Sequence, residues 1–169
     1  MDFFHCLLTL SIEKKYDLLV RNLSEFKSKN FFKVNSTEME ALLFSDDLDI
    51  HSLLFLHIID NVPWSVLQRS FYRFLIIFDV EQVLHSMKKF YEAVESFVKF
   101  CIENNIVVKI IKPLFLAVKK FEAYGITPLH NLYLQVCLRT KMYKEGLKVA
   151  YKPVGSLSRK TGTYLNLND

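Results

Sequence analysis

Apolar residues recur every three or four positions along most of this chain. The longest run is Val83, Met87, Phe90, Val94, Phe97 and Cys101. That period lines one face of an α-helix, whereas a strand alternates at every second residue. A second run, Ile110, Leu114, Ala117, Val118 and Phe121, is set among Lys109, Lys112, Lys119, Lys120 and Glu122, which supply the wet side of an amphipathic helix. Gly and Pro number only 4 each in 169 residues. That is too few for the many tight turns of a β-rich fold, and it argues against extended disorder. The fold class is all-α.

Local signals divide the chain into helices. Residues 7–26 read as one amphipathic helix, with Ile12, Tyr16, Leu19, Leu23 and Phe26 on its apolar side. Residues 27–35 read as a polar loop. Thr37 with Glu40 three residues on has the form of a capping box before Ala41. Residues 50–59 form a short helix dense in Leu and Ile. Pro63 opens a helix over 63–78, and Asp79 caps the next, over 80–102. Asn104 and Asn105 break the pattern before a helix over 106–124, in which Pro113 fits best within the first turn. Gly125 reads as a stop. Thr127 followed by Pro128 is a start signal, an N-cap and then a residue with no amide hydrogen to leave unpaired. Helices over 128–139 and 142–151 follow, joined at Thr140 and Lys141.

Short helices joined by short turns suit either a compact bundle or a stack of helix pairs. The pairing of 106–124, 128–139 and 142–151 favours the stack: antiparallel helix pairs in a degenerate tetratricopeptide-like superhelix. Gly146 and Ala150 are the small residues expected where such helices cross. One helical-repeat domain is expected over 1–152, followed by a flexible polar tail over 153–169.

The formal net charge is +4, but it is unevenly spread. Residues 1–100 carry 11 Lys/Arg against 14 Asp/Glu, a net of −3, and residues 101–169 carry 11 against 4, a net of +7. The run Lys141, Lys144, Lys148 and Lys152 follows helical spacing and shares a face. Such a ridge suits an acidic partner, or simply keeps the surface wet. It lacks the interleaved arginines and aromatics of a specific nucleic-acid reader. Cys6, Cys101 and Cys137 are odd in number and widely spaced, which fits a reducing compartment rather than a disulfide framework. The longest apolar stretches fall short of the roughly 20 residues that a bilayer span requires, and no cleavable leader pattern opens the chain. A soluble intracellular protein with no membrane partner is expected.

Chemistry finds little purchase in this sequence. His5, His51, His57, His85 and His130 include no pair at the i, i+4 spacing of a zinc helix. All four glycines lie beyond residue 124, so neither a phosphate loop nor a dinucleotide-binding turn is present. His130 and Cys137 stand two helical turns apart, roughly 10 Å, too far to share a proton as base and nucleophile. Cys137 reads as a buried structural residue, and His130 as a first-turn residue that orients the neighbouring loop. Glu92 and Glu95 lack the Glu-x-x-His partner of a bundle metal site. No cofactor, metal or catalytic residue is expected.

Residues 126–147, ITPLHNLYLQVCLRTKMYKEGL, resemble a helix pair in the third subunit of the COP9 signalosome. The family pattern there is Leu or Ile before Thr, then His, then Cys-Leu, Lys, an aromatic-Lys pair and a later Leu. It falls on Ile126, Thr127, His130, Cys137, Leu138, Lys141, Tyr143, Lys144 and Leu147, and the resemblance extends over residues 106–151. It implies a helical-repeat arm of a signalosome subunit in the cytoplasm and nucleus. The parent complex removes a ubiquitin-like modifier from cullins with a catalytic metal held by another subunit. Members of that family are much longer and end in a winged-helix module and a C-terminal helix. Nothing after Tyr151 matches either, so the resemblance implies a fragment or short isoform, or a looser kinship.

On this reading the chain is a non-catalytic scaffold whose partners are other protein subunits, with His130, Lys141, Tyr143, Lys144 and Lys148 as structural or interface residues. His130, Tyr143 and Lys144 are expected to hold the junction between helix pairs. Two other readings share the same surface physics: a small helical protein-binding regulator unrelated to the signalosome, and a subunit of a related proteasome-lid or initiation-factor complex. A nucleic-acid binder using the basic second half is a further alternative, which salt dependence would reveal.

Overall fold

A computed structural model describes residues 3–25 and 36–150. Among these residues the chain is helical and contains no strand. The α-helices are α1 (Phe3–Ile12), α2 (Tyr16–Glu25), α3 (Ser36–Leu43), α4 (Ser52–Ile58), α5 (Trp64–Ile77), α6 (Val80–Leu84), α7 (Met87–Glu103), α8 (Ile111–Lys120), α9 (Pro128–Arg139) and α10 (Tyr143–Ala150). Short 3-10 turns lie at Ile59–Asn61, Val107–Ile110 and Glu122–Tyr124. The all-α helical-repeat fold is thus observed. The chain divides into two compact units, residues 1–100 and 101–169. The expected domain limit at 152/153, the polar tail, the loop over 27–35, Phe26 and Lys152 all lie outside the described residues.

Two expected helices are each broken in two. The helix read over 7–26 ends at Ile12 and restarts at Tyr16. Lys14 takes φ 58° there. Its N–H donates to the Ser11 carbonyl at 3.2 Å, and the Lys15 N–H donates to the Leu10 carbonyl at 3.0 Å. This pair of bonds is a Schellman stop, made here without glycine. The break turns Ile12 out to solvent while Tyr16, Leu19 and Leu23 stay buried. The helix read over 80–102 is likewise interrupted at His85 and Ser86, whose N–H groups donate to Gln82 and Val83. Thr37 is no N-cap, because it lies inside α3.

Other boundaries follow the local chemistry. Asp79 caps α6, accepting the Glu81 N–H at 2.8 Å. Pro63 stands at the N-cap of α5, extended at φ −66° and ψ 145°. Pro113 occupies the first turn of α8, where its missing N–H forfeits no helical bond.

The core of the first unit is aromatic. Phe71 is fully buried, with ring centroids 4.9 Å from Trp64, 4.8 Å from Phe97 and 5.6 Å from Phe74. Phe55 stacks on Phe74 at 4.6 Å, and Phe78 meets Phe90 at 5.1 Å. Within the α7 stripe Phe90, Val94 and Phe97 are all buried in this unit. Each buried aromatic of this size contributes about 2–3 kcal/mol of transfer free energy.

A buried polar knot in this unit centres on Gln82. Its Oε1 accepts the Leu53 N–H at 3.1 Å, and its Nε2 donates to the carbonyls of Asp49 at 3.1 Å and Ile50 at 2.7 Å. Ser52 Oγ donates to the Leu48 carbonyl at 2.9 Å and accepts the Asp79 N–H at 2.9 Å. Ser11 Oγ reaches the Ile50 carbonyl at 2.8 Å.

In the second unit α8 packs on α9, and α9 packs on α10. The stripe Ile110, Leu114, Ala117, Val118 and Phe121 is buried, together with Leu129, Tyr133, Val136 and Cys137. Asn105 at φ 56° and Lys141 at φ 57° end α7 and α9. They do so with the same two bonds as Lys14. The Ile106 and Met142 N–H groups donate to the Cys101 and Cys137 carbonyls, both at 2.9 Å. The Asn105 and Lys141 N–H groups donate to the Ile102 and Leu138 carbonyls at 3.1 and 3.2 Å. One turn geometry thus recurs, at positions 105 and 141, in the second unit.

Candidate protein-interaction surface

The α9–α10 hairpin carries all five residues singled out in the sequence. Its entry is fixed by a capping box between Thr127 and His130, with Pro128 at the first helical position. The Thr127 N–H donates to His130 Nδ1 at 3.1 Å, and the Thr127 hydroxyl lies 3.0 Å from the same nitrogen. An accepting Nδ1 leaves the proton of a neutral ring on Nε2. Gly125 just upstream has φ 86°, a conformation that favours glycine, and nothing stands within 4 Å of where its Cβ would be.

The junction between α9 and α10 is made by Tyr133, Cys137 and Gly146. Gly146 is buried against α9, where a Cβ would lie 3.3 Å from Cys137 Cβ and 3.7 Å from Leu134 Cδ2. The Tyr133 hydroxyl donates to the Glu145 carbonyl at 3.0 Å. Burial, and next the adjacent Cys137 thiol, push that hydroxyl up from its ordinary value. Burial likewise raises the Cys137 thiol, so the group stands away from the reactive thiolate form. The Phe115 ring of α8 meets Tyr133 at 5.7 Å. Ala150, by contrast, is exposed.

Of the lysine ridge, Lys148 is engaged. Its Nζ reaches both Glu145 carboxylate oxygens, at 2.8 and 2.7 Å. It also lies 5.8 Å from the Phe115 ring centroid, with Lys119 at 5.0 Å. Lys141 and Lys144 are exposed and form no ion pair among the described residues, and Tyr143 is exposed beside them. His130 therefore holds the start of the hairpin, while Tyr143, Lys144 and Lys141 face outward. Tyr133 was missed in the sequence reading. Its signal is its place among α9 residues that face both neighbouring helices, which no spacing within α9 alone declares.

Of the remaining histidines, His57 and His85 each meet a side chain from elsewhere in the chain, while His5 and His51 line one groove. His57 Nε2 is 3.3 Å from Ser86 Oγ, and His85 Nδ1 is 3.1 Å from Asp17 Oδ1. His51 is buried, and its Nδ1 has no hydrogen-bond partner among the described residues. It lines an open, mainly apolar groove of about 430 Å³ with Phe4, His5, Leu8, Leu42 and Ser45. Among the described residues no cluster of three or more His, Cys, Asp or Glu is placed to hold a metal ion. No helix among them is long and apolar enough to cross a membrane.

The family model described as COP9 signalosome complex subunit 3, N-terminal helical repeats, matches residues 11–166. Neither a curated protein nor a solved structure matches the chain.

Proposed function

The chain belongs to the family of N-terminal helical repeats of COP9 signalosome complex subunit 3, and from that premise we propose that it acts as a non-catalytic scaffold component of the signalosome. The complex deneddylates cullin-RING ubiquitin ligases, and this chain contributes contact surface to it, not chemistry. Its partners are other protein subunits, and it works in the cytoplasm and nucleus. The observation that carries the reading is the family match across residues 11–166. The polar groups support it too, being spent on capping and packing: His130 on a helix start, Gln82 on a buried backbone knot and Tyr133 on a helix junction. Stacked helices of this type expose edges and faces to which other subunits bind.

The test is co-expression of the tagged 169-residue chain with the signalosome subunits, followed by affinity capture and size-exclusion chromatography. The chain is expected to co-elute with the complex in fixed ratio. Elution of the chain alone, with the assembled complex free of it, overturns the proposal.

A further inference from the structure

The outer face of α10 is apolar and basic at once. Tyr143 and Leu147, four residues apart, are 56% and 47% exposed, and Leu138 at the end of α9 is 63% exposed. Side chains at that spacing stand one above the other on a helix. Lys144 flanks Leu147, about 60° round the helix axis and on the side away from buried Gly146. Lys141 sits in the turn that leads into the helix, its N–H bonded to the Leu138 carbonyl. Arg139 is exposed next to that turn. Arg139, Lys141 and Lys144 form no ion pair among the described residues, and the one carboxylate on α10, Glu145, is taken by Lys148.

We infer that this face docks an acidic amphipathic helix of a partner protein. The inference deepens the scaffold reading and rests on it. Apolar anchors at i and i+4 fit the ridges of another helix, and a helix laid into such a face is read through that spacing. The three unpaired cations select the partner's charge. A partner with Asp or Glu beside its apolar stripe gains attraction and orientation, and a basic helix is rejected. A nucleic acid fits less well, because the exposed surface is centred on aliphatic and phenol side chains without stacked arginine–aromatic alternation. Lys148 is outside this surface, because its ammonium group is held by Glu145.

The test uses the full chain and two designed helical peptides, each with one leucine stripe, flanked in one by glutamates and in its twin by lysines. Binding is read by fluorescence anisotropy, with a DNA duplex and anionic phosphatidylserine vesicles as further arms. The glutamate peptide is expected to bind at least about tenfold tighter than its twin, and to weaken with added salt. Lys141→Glu with Lys144→Glu removes the preference, and Tyr143→Ser with Leu147→Ser weakens binding about tenfold. All four positions are exposed, so the helical circular dichroism and melting of both variants stay unchanged. Equal binding of the two peptides overturns the proposal. So do variants that bind like the parent chain, or a duplex or vesicle that binds better than the glutamate peptide. The peptide assay needs no signalosome subunit, so its failure leaves the co-elution result standing, and failed co-elution leaves the peptide result standing.

Discussion

The side-chain oxygen of Gln82 caps a helix it does not belong to, accepting the Leu53 N–H at the start of α4 from 3.1 Å away. His51, at the N-cap of α4, makes no side-chain cap bond, so this first-turn amide depends on a residue 29 positions further on. Of the two carbonyls that Gln82 also serves, Ile50 has a second donor in Ser11, and Asp49 shares the Ser52 hydroxyl with Leu48. Gln82→Leu therefore keeps the volume and strands chiefly one buried N–H, at a cost of about 2 kcal/mol. Urea unfolding checks the size of the loss. Amide exchange locates it, and Leu53 should lose more protection than the core of α5. A midpoint equal to that of the parent chain would refute the assignment of the cap.

Lys14 ends α1 in the left-handed region, at φ 58°, where an L side chain is strained and glycine is not. Lys14→Gly is expected to stabilise the first unit by roughly 0.5–1 kcal/mol, less than the full strain because glycine also loosens the unfolded chain. Lys14→Ala keeps the strain and should bring no gain. Thermal melts of the two variants decide the matter, and equal melting temperatures would mean that the turn carries no such strain.

Gly146 tests the close approach of α9 and α10. Alanine is the better helix former by about 1 kcal/mol, but its Cβ would sit 3.3 Å from Cys137 Cβ. The two effects are similar in size, so Gly146→Ala should fall within about 1 kcal/mol of the parent. Gly146→Val adds two further methyls to the same contact and a β-branched side chain, and is expected to cost about 2–3 kcal/mol. Differential scanning calorimetry reads both, and a valine variant as stable as the parent would mean that the helices are not held at this distance.

What the sequence disclosed depended on how local each signal was. Thr127-Pro128, Asp79 and the buried stripes of α7 and α8 declare themselves within a few residues, because caps and periodicity are local physics. The break at Lys14 was hidden because its left-handed residue is lysine, and the turn leaves the apolar period nearly intact. The interruption at His85 and Ser86 was hidden for a related reason, since Val83 and Phe90 keep the spacing of one continuous helix. Gln82 and Tyr133 act across 29 and 12 residues, a reach no window along the chain can see. The Lys148–Glu145 pair was legible, since i, i+3 neighbours share a helix face, yet the ridge reading counted lysines and not the carboxylate between them.

His51 is the group whose charge the fold resists. Burial holds its imidazole below the ordinary histidine value, against the smaller upward pull of Asp47 and Asp49. A depressed folded value means that the unfolded chain takes up the proton first. Above roughly pH 6.5 both states are neutral, and His51 has no effect on stability. As pH falls below that value the unfolded state gains protons that the folded state refuses, so stability drops, by at most about 1.4 kcal/mol per pH unit from this one group. The drop ends once pH passes the folded value. His5 lines the same groove, so the ring in question has to be isolated by substitution. His51→Leu removes the titrating group and its unpartnered Nδ1, and should flatten the profile between pH 7.5 and 5.5 while leaving stability at pH 7.5 unchanged or raised. Urea unfolding of the parent chain and this variant across that range makes the comparison. Parallel profiles would place the acid sensitivity elsewhere.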